Sequence, residues 1–125
     1  MCIRDRFYYK SQKIRAVLRQ QILDALQKVD VLVLPSGPVT APPVESSPGI
    51  RSKGHALEGL AGRISFTGPF NLAGTPALSV PCGFSSSGMP MGLQIVGRPF
   101  EEDTVLRVAY AYEQGTDWHT RRPPI

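Results

Sequence analysis

The run Val31-Leu32-Val33-Leu34, closed by Pro35, most constrains what this chain can become. Four consecutive apolar residues, two of them β-branched, are too few for a helix and read as a strand buried on both faces. A long uninterrupted segment precedes them. From Phe7 to Val29 there is no Gly or Pro, and Ile14, Val17, Leu18, Ile22, Ala25, Leu26 and Val29 recur at spacings of three and four. Lys13, Arg19, Gln20 and Gln27 fall off that stripe. The periodicity predicts an amphipathic helix. A helix feeding directly into a short buried strand implies an α/β layer, with helices covering a sheet.

The rest of the chain is punctuated. Residues 36–57 carry Pro38, Pro42, Pro43, Pro48, Gly49 and Gly54, which break any regular element. Arg51, Lys53 and His55 stand in this stretch, either as substrate contacts or as a solvated loop tip. In "FTGPFNLAG" a short helix is expected, with Thr67 as its cap, Pro69 in its first turn and Gly74 at its end. Ala77 to Pro81 reads as a strand closed by proline, and Met91 to Val96 as a second strand. Between them Cys82-Gly83-Phe84-Ser85-Ser86-Ser87-Gly88 and Pro90 supply turn chemistry, so the pair is expected to be an antiparallel hairpin. Glu101, Glu102 and Asp103 then suit the positive end of a helix dipole. That helix offers two adjoining faces: Leu106, Ala109, Tyr110 and Glu113, and Val105, Ala109 and Tyr112. Gly115 is its expected cap, and Trp118 the anchor of the tail.

With 125 residues and 42% hydrophobic content, the chain suits one domain with a modest core. Its net charge of +4 includes a cluster of Arg4, Arg6, Lys10, Lys13, Arg15 and Arg19 near Phe7, Tyr8 and Tyr9. Basic residues beside aromatics allow an RNA-binding module, but a solvated helix face is the commoner origin of such a cluster and the preferred reading. Cys2 and Cys82 are too few for a disulfide framework, and no C-x-x-C occurs. His55 and His119 have no partners at metal-ligand spacing, so neither a metal nor a cofactor is expected. No apolar run is long enough to span a membrane, and Met1 to Arg6 lacks the apolar core of a signal peptide. A cytoplasmic protein is the expectation.

The hydroxyl-rich Ser85-Ser86-Ser87 stretch fails as a nucleophile elbow. Gly83-Phe84-Ser85-Ser86-Ser87 lacks the closing glycine of G-x-S-x-G and leads from strand to strand. Cys82 with His55 or His119 would make a thiol–imidazole pair, but a cysteine after an apolar strand is more often inert. Asp24, Asp30, Glu45, Glu58 and Asp103 show no spacing that marks a catalytic carboxylate pair.

Asn71 to Pro124 strongly resembles the C-terminal end of the amidase signature family. The matching positions are Asn71, Gly74, Pro76, Ala77, Ser79, Pro81 and Gly83, then Gly88, Pro90, Gly92, Gln94, Ile95, Val96 and Gly97, then Thr116, Trp118, His119, Arg121 and Pro123. The helix followed by "VDVLVLPSGPVTAPP" is also similar to the family. The resemblance implies an α/β fold: a partial mixed sheet with flanking helices, the C-terminal part of an amidase signature fold.

That family's chemistry is amide-bond cleavage by serine acyl transfer, using a Ser–cis-Ser–Lys triad. The triad lies in a Gly/Ser-rich N-terminal half that this sequence does not match, and Lys53 is not in the family's lysine context. The resemblance therefore implies a chain truncated upstream. Residues 1–6 would be a non-native leader and 7–125 the C-terminal part of one amidase domain, with no catalytic residue and inactive alone. Its partners would be a small amide substrate and the missing N-terminal part, with neither a membrane nor a nucleic acid expected. A related branch of the family supplies the amide-cleaving component of the tRNA-dependent Asp/Glu amidotransferases. There an aspartate stands seven residues before the Asn of N-L-A-G; here that position is Ile64. By position in the family, Phe66, Thr67 and Asn71 are the residues expected to line the substrate pocket. Their alternative roles are core, helix cap and backbone partner respectively.

Overall fold

A computed structural model describes residues 7–41 and 66–122. Arg51, Lys53, His55, Ile64 and residues 1–6 lie outside the described residues. Helix α1 spans Tyr9–Leu26 and leads into strand β1, Leu32–Pro35. Helix α2, Gly68–Ala73, precedes β2, Ala77–Phe84, and β3, Pro90–Val96. Helix α3, Glu102–Gln114, and a single 3₁₀ turn, Trp118–Thr120, follow. None of the described helices is long and apolar enough to cross a membrane.

The sheet order is β1-β3-β2. Every strand pair among the described residues is antiparallel, so any parallel pairing of a mixed sheet lies elsewhere. Leu32 and Ala77 both oppose Val96, while Leu34 and Ser79 both oppose Gln94. With a side-chain period of two, these residues share one face of the sheet. Helices α1 and α2 cover that face: Ile22, Leu26, Phe70, Ala73 and Val96 form one buried cluster, with Leu18, Leu32 and Leu34 packed against it. Helix α3 covers the other face, where Val80, Ile95, Val105 and Ala109 are buried against Val31, Leu78, Leu93, Val108 and Tyr112. Leu26, Ile95 and Val96 are fully buried, and each such side chain is worth about 1.5–3 kcal/mol relative to exposure. The expected helix–sheet layering is present on both sides.

Several local expectations are modified. Among the described residues β1 is an edge strand, and Val33 is 53% exposed, so the run is not covered on both faces at that residue. α1 ends at Leu26 rather than Val29, because Arg98 at the exit of β3 takes the nearby carbonyls: its Nε donates to Leu26 O (2.9 Å) and its Nη2 to Val29 O (3.0 Å). The apolar stripe of α1 is buried only in its C-terminal half; Ile14, Val17 and Val29 are exposed. On α3 the core face is Val105, Val108, Ala109 and Tyr112, and Leu106 and Tyr110 point to solvent. β2 continues through Pro81 to Phe84, because an edge strand tolerates a missing N–H and the register slips at a bulge between Pro81 and Gly83. Gly83 there takes φ +141.

The hairpin connection closes as expected of a turn. Ser85 N donates to Met89 O (2.8 Å), Gly88 N to Ser85 O (2.9 Å), and Met89 N to Ser85 Oγ (3.1 Å). Ser85 and Ser87 hydroxyls bond each other at 2.8 Å. Trp118 anchors the tail against Phe84, ring centroids 6.2 Å apart, with the Arg121 guanidinium 4.5 Å above the indole. Gly115 occupies the cap of α3 at an ordinary φ of −88°.

Candidate functional site

The site is built where α2 meets the polar end of the α1-covered sheet face. α2 is six residues long and would be marginal alone. Gly74 ends it in the left-handed conformation, φ +68. Two basic residues of α1 then cap its carbonyl end: Arg15 Nε donates to Leu72 O (2.7 Å), and Arg19 Nη1 donates to Ala73 O. Positive charge at a helix C-terminus is favourable for both the dipole and the orphan carbonyls. Part of the basic cluster of α1 thus holds α2 in place, which weakens its reading as a free nucleic-acid face. Thr67 occupies the N-cap position without a capping bond from its side chain, and Pro69 lies in the first turn.

Across from α2, Ser36 follows β1 and continues its ladder, its N–H donating to Gly92 O at 2.8 Å. The Ser36 and Ser79 hydroxyls bond each other at 2.5 Å. Gly92 makes this approach possible: a Cβ there would stand 2.7 Å from Ser36 Oγ and 2.9 Å from Ser79 Oγ. Next on β3, on the same face, comes Gln94. It is 3% exposed, and its Oε1 has no hydrogen-bond partner among the described residues. Ser36, Thr67, Asn71, Ser79 and Gln94 surround a cavity of about 280 Å³. Among the described residues no charged side chain lines it. A second, more apolar groove of about 580 Å³ adjoins it through Ser36 and runs past Val39, Cys82, Met91 and Leu93.

Two of the three expected pocket residues, Thr67 and Asn71, meet in this cavity. Phe66 is half-buried and does not line it. Ser85, Ser86 and Ser87 lie in the hairpin turn, outside it. Cys82 is a half-buried free thiol, and among the described residues neither groove is lined by a histidine or lysine that would activate a hydroxyl or thiol. Among the described residues no three His, Cys, Asp or Glu side chains converge to hold a metal.

Sequence reasoning missed Ser36, Ser79 and Gln94. Alternation along β3 sets Gln94 opposite in phase to Leu93 and Ile95, which reads as the solvent side of a one-faced strand. The signal that could have found it was the second covering helix: with both faces covered, a glutamine in the central strand must be buried. Buried polar atoms almost always find partners, so an orphaned one calls for an explanation. Thr75 Oγ1 is orphaned too among the described residues, but of the two only Gln94 lines this cavity, which a ligand or water could enter.

A family model described as Amidase matches residues 2–106. A glutamyl-tRNA(Gln) amidotransferase subunit of Synechococcus sp. (strain JA-2-3B'a(2-13)) is 49% identical over 123 residues, covering 97% of this chain and 22% of that protein. The protein of the same name from Methanosarcina barkeri (strain Fusaro / DSM 804) is 46% identical over 122 residues, covering 96% of this chain and 24% of that protein. This chain thus spans less than a quarter of the length of these relatives. Among solved structures, the corresponding glutamyl-tRNA(Gln) amidotransferase subunit of Thermotoga maritima superposes with a TM-score of 0.72 at 33% identity, over 90% of this chain and 23% of that one. The native peptide amidase of Stenotrophomonas maltophilia superposes with a TM-score of 0.62 at 30% identity, over 90% of this chain and 21% of that one. Sequence and fold agree with the motif order from Asn71 to Pro124: the chain belongs to the amidase family.

Proposed function

We infer that this chain forms one wall of an amide-hydrolysing site, as the C-terminal part of an amidase domain whose Ser–cis-Ser–Lys triad is supplied from outside it. The observation that carries this is the cavity between α2 and β3. It is lined by neutral hydrogen-bonding groups, Ser36, Thr67, Asn71, Ser79 and Gln94, and by no described residue fit to be a general base. Such a lining binds a polar neutral group without performing chemistry on it. In the completed enzyme a serine hydroxyl adds to the amide carbonyl, forming a C–O bond. The C–N bond then breaks, the amine leaves with a proton, and water hydrolyses the acyl ester to acid and free serine.

The test is complementation. The chain alone should leave simple primary amides unhydrolysed. Joined to, or co-expressed with, the remaining part of a relative such as the Synechococcus protein, it should restore turnover. Robust hydrolysis by the chain alone, abolished by a serine-directed probe, would overturn the reading.

A second reading has one observation in its favour. The relatives named above at 46% and 49% identity are glutamyl-tRNA(Gln) amidotransferase subunits, which points to amide cleavage coupled to tRNA amidation. Against it stands Ile64 in place of the branch's aspartate. Restored glutaminase activity in the complemented enzyme, with other small amides ignored, would favour it.

A further inference from the structure

We propose that Gln94 is a specificity-determining residue, which pairs through its side-chain amide with a neutral primary carboxamide held in the cavity between α2 and β3. The proposal rests on the amidase reading above and deepens it by naming the recognising atom and the feature it recognises.

Three observations converge. Gln94 is more than nine-tenths buried, yet its Oε1 has no partner among the described residues. Leaving such an atom unpaired costs about 1–3 kcal/mol, which a bound hydrogen-bond donor recovers. The backbone of Gln94 is fixed on both sides by pairing with Leu34 and Ser79, which sets the residue at the cavity wall. Its side-chain amide, unbonded among the described residues, is free to turn Oε1 toward a ligand. Its neighbours on the cavity wall, Asn71, Thr67, Ser36 and Ser79, are all uncharged.

A side-chain amide has one acceptor oxygen and one donor nitrogen in a plane. A primary carboxamide presents the reciprocal pair, so the two can form two parallel N–H···O bonds. A carboxylate offers acceptors only. It would leave Oε1 unpaired and bring a charge into a lining that holds no cation among the described residues, which is strongly unfavourable. A site built this way separates amide substrate from acid product, because an unmatched buried polar group penalises the wrong ligand more than extra contact rewards the right one. The Ser36–Ser79 bond uses one of the two hydroxyl protons, so the pair narrows the cavity and keeps one O–H to offer a ligand.

The experiment titrates the isotope-labelled 125-residue chain with propionamide, and separately with propionate at matched ionic strength, following the side-chain NH₂ resonances of Gln94 and Asn71. Propionamide should shift both saturably, and propionate should bind at least tenfold more weakly. Gln94→Leu should weaken propionamide binding at least tenfold, and the exposed Asn71→Ala, which leaves the core untouched, should weaken it severalfold. Equal responses to the two ligands, a response that never saturates, or full binding by either variant would overturn the assignment. Binding needs no nucleophile. A negative titration with successful complementation would remove only the Gln94 assignment, and a positive one without complementation only the hydrolytic reading.

Discussion

Arg98 Nε donates to the carbonyl oxygen of Leu26 at 2.9 Å, tying the exit of the central strand to the end of the first helix. The same guanidinium donates to Val29 O and reaches the Glu101 carboxylate at 3.2 Å. Glu101 is the N-cap of α3, so one planar fork links the layers on opposite faces of the sheet. Arg98→Ala should lower stability by about 1.5–3 kcal/mol, since bonds to a charged donor are lost and the carbonyl of buried Leu26 loses its partner. Arg98→Lys should recover less than half of that loss, because an ammonium cannot span the fork. Urea unfolding of the three proteins checks both, and full rescue by lysine would show that charge alone matters.

Gly92 and the serine pair should be energetically coupled. Gly92→Ala places a methyl within 3 Å of both hydroxyl oxygens and should cost about 1–3 kcal/mol. In a Ser36→Ala, Ser79→Ala background the same change should cost distinctly less. A double-mutant cycle read by thermal unfolding measures the difference, and strict additivity would contradict it.

The three turn serines should be unequal. Ser86→Ala should be silent, whereas Ser85→Ala should cost about 0.5–1.5 kcal/mol because its hydroxyl accepts from Met89 N and bonds Ser87. Replacing all three should leave the activity of a complemented enzyme nearly unchanged. A large loss of turnover, with stability restored by lower temperature, would place them in the site after all.

Phe100 is held at φ +67 and is 93% exposed. It follows Pro99 in a turn closed by Glu101 N to Arg98 O at 3.1 Å, at a position suited to glycine or asparagine. Little packing is lost on removing its ring. Phe100→Gly should therefore stabilise the chain by about 0.5–1 kcal/mol, read as a raised melting temperature. A fall would mean that the ring makes contacts worth more than the backbone strain.

RNA retention should be weak. Arg15 and Arg19 already serve the carbonyls of Leu72 and Ala73. Filter binding at low salt should show little retention, and Arg15→Ala with Arg19→Ala should lower stability rather than RNA affinity. Tight retention that falls steeply with salt and with these changes would revive the nucleic-acid reading.

Much of this architecture was legible in the sequence because its signals are local. Periodicity found α1 and α3, apolar runs found β1 and β3, and glycine and proline found the hairpin turn and the end of α2. The misplacements are long-range. Whether Val33 is covered depends on β1 lying at an edge, and whether Leu106 or Val105 faces inward depends on how α3 sits on the sheet. Pro81 stays in a strand because β2 also lies at an edge among the described residues and the register slips just after it. The cavity followed the same division. Thr67 and Asn71 were singled out through the family resemblance, and both line the cavity because they belong to one short motif. Ser36, Ser79 and Gln94 come from three different strands or their ends, and only the register 34–94–79 brings them to one wall.

The sheet order has a further consequence. With β3 in the middle, β1 and β2 each turn one row of backbone amides and carbonyls outward among the described residues. Such rows invite pairing with another extended chain. Val33 on β1 and Phe84 on β2 add exposed apolar side chains beside them. The purified chain should therefore be kept dilute, and its loss from solution should accelerate with concentration through strand-to-strand association between molecules. Pro35 and Pro81 act as built-in interruptions: each removes one donor from its edge and limits how far a foreign strand can zip along it.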